Sequence, residues 1–200
     1  MKRGPNGLQI PMNEHSTVLD PLDQFYLESG LPLPPVVPVT DSSIPEPQRS
    51  LLVHRQSMTS RLEAAYGEEV RIKVLNRKIS DGVVLRQVVL IPNGAQSPVE
   101  FGAIRIHLEH LSAEARKLIG GEKIPLGRVL RDLGIQYLSR PMAYFQLLSD
   151  ALLGEALELS GSQLLYGRRN RLLTPSDKTL AEVVEILPPK NHERRMPSEE

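Results

Sequence analysis

The sequence predicts an α+β fold, in which a mostly antiparallel sheet is flanked by helices. Two observations support this class. Runs of alternating or β-branched apolar residues recur in the middle and near the end of the chain, and stretches with helical periodicity lie between them. Of the 200 residues, 40% are hydrophobic and 24% charged, which is ordinary for a globular domain with one buried core.

Capping and turn residues mark where each predicted element begins and ends. Ser57 or Thr59 is a candidate N-cap inside the first helix, and Gly67 is its terminator. Residues 70–108 are predicted to form an antiparallel meander, because short strand patterns there are separated by turn residues. Residues 142–159 are compatible with either strand or helix. The predicted elements are a helix at 51–67, strands at 70–74, 83–91 and 99–108, helices at 112–120 and 125–134, and strands at 164–173 and 179–187.

Proline content divides the chain. Nine of the 17 prolines lie within residues 1–48. Since proline lacks a backbone donor and fixes φ, this segment is predicted to be an extended N-terminal arm that packs on the body in places. A proline-rich ligand for a partner protein is the alternative. Residues 49–189 are predicted to form the functional domain, and residues 190–200 a disordered tail. The apolar residues expected to hold the arm are Leu31, Leu33, Val36 and Val37.

Composition excludes several classes of function. Lys plus Arg and Asp plus Glu both number 24, a balance that argues against a nucleic-acid partner. Without cysteine the chain has no disulfide, thiolate metal site or cysteine nucleophile, and the spacing of its five histidines favours surface imidazoles over metal ligands. No apolar stretch is long enough to span a membrane, so a cytoplasmic protein without metal or cofactor is expected. A monomer is the default expectation, although no pattern specifies the oligomeric state.

Arg86 is the most informative single residue. It lies in the middle of a predicted strand, and its neighbours on the same face are Val84, Val88 and Leu90. A guanidinium among apolar side chains requires an anion, because burying an unpaired charge costs several kcal/mol. One interpretation is an ion pair with a carboxylate of another strand. The other is a binding site for the carboxylate of a ligand, which the planar fork of arginine matches.

Two further groups of charged residues are candidates. Glu182 and Glu185 interrupt the last predicted strand three residues apart, so they point to opposite faces of the sheet, and one of them could line a cavity. Arg169 and Arg171 share a face of the preceding strand, where a solvated rim or an entrance that attracts anions is expected. Together with Arg86, these residues indicate a small anionic ligand bound on a sheet.

Four motifs in this order resemble those of the chorismate pyruvate-lyase family. The segments are SMTSRLE at 57–63, LRQVVL at 85–90, IPLGRVL at 124–130 and YGRRNRL at 166–172, followed by a terminal strand that ends in EILP at 185–188. The similarity covers about residues 50–189. The sequence departs from the family pattern in two places. Ala103 stands where the family has an arginine, and Arg105 lies two residues later, on the same face of the strand. An insertion at about residues 147–163 is the second departure.

The resemblance implies a cofactor-independent lyase that converts chorismate to 4-hydroxybenzoate and pyruvate, in quinone biosynthesis. Arg86 would bind the ring carboxylate, helped by the backbone N–H groups of Met58 and Leu126. Glu185 would hydrogen-bond the oxygen at ring position 4, or Glu182 if the last strand is shifted. The alternative is a domain that senses a small, hydroxybenzoate-like anion without turnover, of the kind attached to transcription regulators. Such modules follow a helix-turn-helix region, which the proline-rich arm does not supply.

Overall fold

The computed structural model describes residues 18–189, and in them the predicted α+β class is confirmed. Seven antiparallel strands form one open sheet in the order β1-β5-β6-β7-β4-β3-β2. The strands are β1 (Val36–Val39), β2 (Val70–Ser80), β3 (Val83–Pro92), β4 (Glu100–His107), β5 (Leu138–Leu148), β6 (Leu164–Leu173) and β7 (Thr179–Leu187). The helices are α1 (Leu22–Glu28), α2 (Gln48–Leu52), α3 (Met58–Tyr66), α4 (Ala113–Gly120), α5 (Leu126–Asp132) and α6 (Ala151–Ala156).

The middle of the sheet is covered on both faces, which explains why β3 is a β-branched run that does not alternate. On one face, side chains of β3, β4 and β7 pack under α1 and α6. On the other face, the same strands pack under α4 and α5 at one end and under α2 and α3 at the other. We call these the α1 face and the α3 face. A strand buried on both sides needs apolar residues at consecutive positions, so any charge there stands out.

The meander predicted for residues 70–108 is confirmed as β2, β3 and β4, which pair in succession with antiparallel register. The helix predicted at 51–67 is instead two helices, α2 and α3, separated by residues 53–57. Ser57 caps α3, because its hydroxyl accepts a hydrogen bond from the N–H of Ser60 at 3.1 Å. Gly67 ends the helix with a positive φ of 69°, as its position predicted.

The ambiguous region 142–159 contains both kinds of element. Its first part belongs to β5, which pairs with β1 and β6, and its second part is α6. Asp150 caps α6 by accepting a hydrogen bond from the N–H of Leu153, and the Tyr26 hydroxyl donates to the same carboxylate at 2.6 Å. The insertion at 147–163 therefore supplies the helix that packs beside α1 on the α1 face.

The expectation of an extended N-terminal arm is wrong for residues 22–28, which form α1. This helix places Leu22, Phe25 and Tyr26 in the core of the α1 face. Further along, Val36–Val39 adds an edge strand to β5, where the absence of an N–H on Pro38 is tolerated. Of the apolar residues expected to hold the arm, Leu31, Leu33 and Val37 are instead exposed. The rest of the predicted arm, residues 1–17, and the predicted tail from residue 190 onward lie outside the described residues.

Asp20 anchors the N-terminal segment to the sheet through two arginines. Its carboxylate accepts hydrogen bonds from Arg105 at 2.6 and 3.1 Å and from Arg169 at 2.9 Å. Burial acts to raise the pKa of Asp20, but the two guanidinium groups outweigh it and hold that pKa below its ordinary value. The carboxylate is therefore charged in the folded protein at neutral pH.

We expect Asp20→Asn to lower the free energy of unfolding at pH 7 by about 1–2 kcal/mol, because Arg169 loses its anion and Arg105 keeps only Glu182, at 3.9 Å. A carboxyl with a lowered folded pKa contributes stability above its unfolded pKa of about 3.9 and loses it as the pH falls through the folded value. The difference between wild type and variant should therefore shrink below about pH 4. Urea unfolding across this pH range measures it, with Asp177→Asn at an exposed turn as control. A difference that persists unchanged into acid would show that the Asp20 carboxylate is not its source.

Candidate ligand-binding site

A cavity of about 60 Å³ lies on the α3 face, between the sheet and the first turns of α3 and α5. One water molecule needs roughly 10–15 Å³, so the space suits a small organic molecule rather than a single solvent molecule. Its wall is mostly apolar and carries a few convergent polar groups, as small-molecule sites do. The residues that line it are Ser57, Met58, Thr59, Ile72, Arg86, Val88, Leu90, Glu100, Gly102, Ile104, Pro125, Leu126, Gly127, Asn170, Leu172, Val183 and Glu185.

Arg86 lies at one end of the cavity and is only 1% exposed. Its Nε and Nη1 atoms have no hydrogen-bond partner. Within residues 18–189, no carboxylate comes within ion-pair distance of it, so the interpretation of Arg86 as half of a buried ion pair is wrong. Burial lowers the pKa of Arg86 to about 10, with smaller and opposing effects from Glu122 and Arg77. The guanidinium is thus charged, buried and unpaired, beside empty space.

Glu185 lies near the middle of the cavity floor and is held by Arg168. The Arg168 Nε donates to a carboxylate oxygen of Glu185 across the β6–β7 pair, and both side chains are almost completely buried. Arg168 Nη1 also donates to the carbonyl oxygens of Leu52 at 2.8 Å and His54 at 3.1 Å. The pair therefore fixes Glu185 and ties the segment that leads into α3 to the sheet.

Glu100 is a second carboxyl on the cavity floor. It is 3% exposed, and its Oε2 atom has no hydrogen-bond partner. Burial first, and the neighbouring charge of Glu185 second, raise the pKa of Glu100 well above its ordinary value, although Arg168 acts in the opposite direction. Both effects favour the neutral form of the Glu100 carboxyl over the charged one. Among the described residues, the cavity thus has a buried cation without a counter-ion at one end and a carboxyl oxygen without a hydrogen-bond partner at the other.

The roof of the cavity is formed by the N-terminal turns of α3 and α5, where Met58 and Leu126 lie. The first N–H groups of a helix have no partner within the helix, so these turns present donors. Glu63 joins the two helices, because its carboxylate accepts hydrogen bonds from Arg128 and Arg131. In the SMTSRLE and IPLGRVL motifs, Glu63 and Arg128 thus maintain the roof and do not line the cavity.

Gly127 allows α3 and α5 to approach closely. A Cβ atom built on it would lie 2.7 Å from the hydroxyl oxygens of Ser57 and Thr59. We therefore expect Gly127→Ala to lower the free energy of unfolding by about 1–3 kcal/mol, and to weaken ligand binding because the roof must shift. The control is Gly120→Ala at the end of α4, where a Cβ would meet nothing within 4 Å. Thermal unfolding compares them, and equal stability of the two variants would contradict the close contact.

All four residues predicted for the site line this one cavity: Arg86, Glu185, Met58 and Leu126. Glu182 does not, because it lies on the α1 face and accepts a hydrogen bond from His107 at 2.9 Å. Arg105, the nearest arginine to the family position occupied by Ala103, also lies on the α1 face and binds Asp20. Arg169 is on that face too, so neither it nor Arg105 lines the cavity.

Sequence reasoning missed Glu100 and Arg168. Glu100 shares a strand face with Gly102 and Ile104, so it offered the same signal as Arg86, a charge on an apolar face of a central strand. Arg168 offered no such signal. It stands in a run of polar residues where only the three-dimensional contacts distinguish the buried arginine from its partly exposed neighbour Arg169.

Comparison with known proteins supports the fold and not a family. No protein-family model matches the chain, and no curated protein matches it in sequence. Among solved structures, it is similar to PhnF from Mycobacterium smegmatis, with a TM-score of 0.52 and 13% identity over 68% of this chain and 64% of that one. The chain thus spans less than two thirds of PhnF, and at this identity the likeness concerns the fold alone.

Two other solved structures are less similar. The effector domain of PhnF from Mycobacterium smegmatis gives a TM-score of 0.46 at 13% identity, covering 66% of this chain and 88% of that one. A GntR-family transcriptional regulator from Bacillus cereus gives a TM-score of 0.42 at 11% identity, covering 61% of this chain and 93% of that one.

Within the described part of the chain, no helix is both long and apolar enough to cross a membrane.

Proposed function

We propose that this chain binds a small carboxylic acid with a ring, in the cavity between the α3 face of the sheet and helices α3 and α5. The observation that carries the proposal is the Arg86 guanidinium, which is 1% exposed, lies beside the cavity and has no ion-pair partner among residues 18–189. A buried cation without a protein anion costs free energy in the unliganded fold, and the carboxylate of a ligand offsets that cost. Two parallel hydrogen bonds would also fix the orientation of the ligand.

The rest of the wall fits an apolar ring better than a flexible polar chain. Val88, Leu90, Ile104 and Leu172 supply apolar contacts from three strands. The N–H groups of Met58 and Leu126 would assist Arg86 at the carboxylate. Glu185, fixed by Arg168, would accept a hydrogen bond from a hydroxyl group of the ligand.

Cleavage of chorismate is the reaction that the sequence motifs support. Their resemblance to the chorismate pyruvate-lyase family implies a lyase, and Arg86 and Glu185, the two side chains to which that resemblance gives roles, both line the cavity. In this reaction, Arg86 would hold the ring carboxylate of chorismate and Glu185 would contact the ring oxygen at position 4. Loss of the enolpyruvyl group as pyruvate makes the ring aromatic, so the reaction is driven without a cofactor. The role of the protein is then to bind, orient and exclude water.

Sensing without turnover is the second candidate, and the fold likeness to PhnF favours it. An effector domain is described for that protein. The same cavity, with Arg86 as the anion anchor, would then bind a hydroxybenzoate-like effector, and the protein would respond to occupancy. The two candidates share the ligand class and differ only in whether the bound molecule reacts.

One pair of measurements distinguishes the candidates. Purified protein is incubated with chorismate, and 4-hydroxybenzoate and pyruvate are quantified by liquid chromatography against a protein-free control. Binding of 4-hydroxybenzoate is measured in parallel by calorimetry. Repeated turnover supports the lyase. Tight binding of 4-hydroxybenzoate with no product above the spontaneous rate supports the sensor. No binding of either acid would show that the proposed ligand class is wrong.

A further inference from the structure

Glu100 is a buried polar group to which the predicted ligand contacts assign no role. It lies on β4, four residues before Ile104, which is the residue of β4 that pairs with Arg86 of β3. At about 3.3 Å per residue, the four residues from Ile104 to Glu100 span about 13 Å of strand. The side chains of Arg86 and Glu100 both line the cavity, so with this separation they lie toward its two ends.

The Glu100 side chain folds back over Gly102, toward the cavity centre. Its Oε1 atom lies 3.0 Å from where a Cβ on Gly102 would be, so the glycine makes room for the carboxyl. The charged groups around it are Glu185 on β7 and Arg168 on β6. Arg168 donates its Nε hydrogen bond to Glu185, and no ion pair joins it to Glu100 within the described residues. Glu100 is left as the carboxyl without a cation.

We propose that Glu100 is a specificity residue that donates a hydrogen bond, as a neutral acid, to an uncharged oxygen of the ligand opposite its carboxylate. This inference rests on the proposed function and names the second group of the ligand. A protonated carboxyl has one O–H donor, and leaving that donor unsatisfied in the cavity costs free energy. A hydroxyl oxygen accepts from Glu100 while its own hydrogen is donated to the Glu185 carboxylate. A ligand with a hydrogen or a second carboxylate at that position cannot satisfy both groups.

The raised pKa of Glu100 agrees with this geometry, because a neutral acid tolerates the neighbouring Glu185 charge where a second carboxylate would not. The two carboxyl groups therefore have different hydrogen-bonding roles toward the ligand. Glu185, paired with Arg168, is the acceptor, and Glu100 is the donor. Glu100 and Glu185 together then select for a ligand with a hydroxyl group, since sites that hydrogen-bond a hydroxyl discriminate strongly against analogues that lack it.

The test compares 4-hydroxybenzoate with benzoate by calorimetry in wild type, Glu100→Leu and the control Glu182→Gln. We expect wild type and the control to prefer 4-hydroxybenzoate by about tenfold, and Glu100→Leu to reduce that preference to about twofold or less while still binding benzoate. A wild-type preference retained in Glu100→Leu would overturn the role of Glu100 and leave the proposed function intact. Failure of wild type to bind either acid would overturn the proposed function, and this inference with it.

A second measurement does not depend on the folding of Glu100→Leu. The infrared difference spectrum of wild type with and without 4-hydroxybenzoate should show a shift in the carbonyl stretch of a protonated carboxyl group. The isosteric variant Glu100→Gln should lack that band. A wild-type spectrum without a protonated-carboxyl band, or an unchanged band in Glu100→Gln, would show that Glu100 is not the donor.

Discussion

Replacing Arg86 by methionine should strongly weaken ligand binding and at the same time stabilise the unliganded protein. Affinity for 4-hydroxybenzoate should fall by roughly 100-fold or more, since the variant lacks the partner of the carboxylate. The free energy of unfolding should rise by about 1–3 kcal/mol, because methionine removes a buried, unpaired cation and keeps much of its volume. Calorimetry measures the first effect and denaturant unfolding the second.

The opposite signs make this a sharp test. If Arg86 had a structural role, its loss would destabilise the fold, and any loss of binding would follow from that. Arg140→Met is a suitable control, because Arg140 is an exposed arginine of β5 that does not line the cavity. A less stable Arg86→Met protein would contradict the description of Arg86 as unpaired, and unchanged affinity would remove it from the site.

Replacing Arg168 by methionine should instead destabilise the protein, by about 3–5 kcal/mol. Arg168 is completely buried, and its loss leaves Glu185 without a cation next to Glu100. It also removes the donor to the carbonyl oxygens of Leu52 and His54. Thermal and urea unfolding measure the change, with Arg140→Met, an exposed arginine of β5, as control.

The double variant Arg168→Met with Glu185→Leu separates the two parts of this loss. Removing both charges leaves no uncompensated ion, so part of the stability should return. The stability that does not return would come from the lost hydrogen bonds to Leu52 and His54. The ring of His54 also accepts a hydrogen bond from Arg168. Burial and the nearby charge of Arg168 lower the pKa of His54 to about 4, so this ring is neutral at pH 7. A single variant as stable as wild type would show that the pair does not hold the cavity floor.

The sequence predicted most of the sheet because its strands are bounded by turn residues and carry apolar patterns. The strands β6 and β7 occupy the predicted residues 164–173 and 179–187. Predictions were less successful where contacts distant in sequence decide the conformation. Helix α1 forms within the proline-rich segment because Leu22, Phe25 and Tyr26 are buried against α6 and the sheet, and their helical spacing covers too few residues to outweigh the surrounding prolines in the sequence. The break between α2 and α3 likewise depends on Arg168, which binds the carbonyl groups there.

The candidate site was predictable to the extent that a charge on a central strand is anomalous. Arg86 violates the apolar pattern of β3, so its position alone indicated an anion. The assignment of Glu185 over Glu182 required the register of β7, because a shift of one residue exchanges the two faces. That no carboxylate within residues 18–189 pairs with Arg86 could not be predicted, since several acidic residues in the sequence could have reached it.

The two edge strands of the sheet, β1 and β2, both carry features that disfavour pairing with a strand of another molecule. At one margin, Pro38 of β1 has no N–H to offer an incoming strand. At the other margin, β2 carries Arg71, Lys73, Arg77 and Lys78, so a second copy of this edge would bring like charges together. Strand addition is thus disfavoured at each border by a different device. Pro38 thus limits further strand pairing at the edge of the sheet that it occupies.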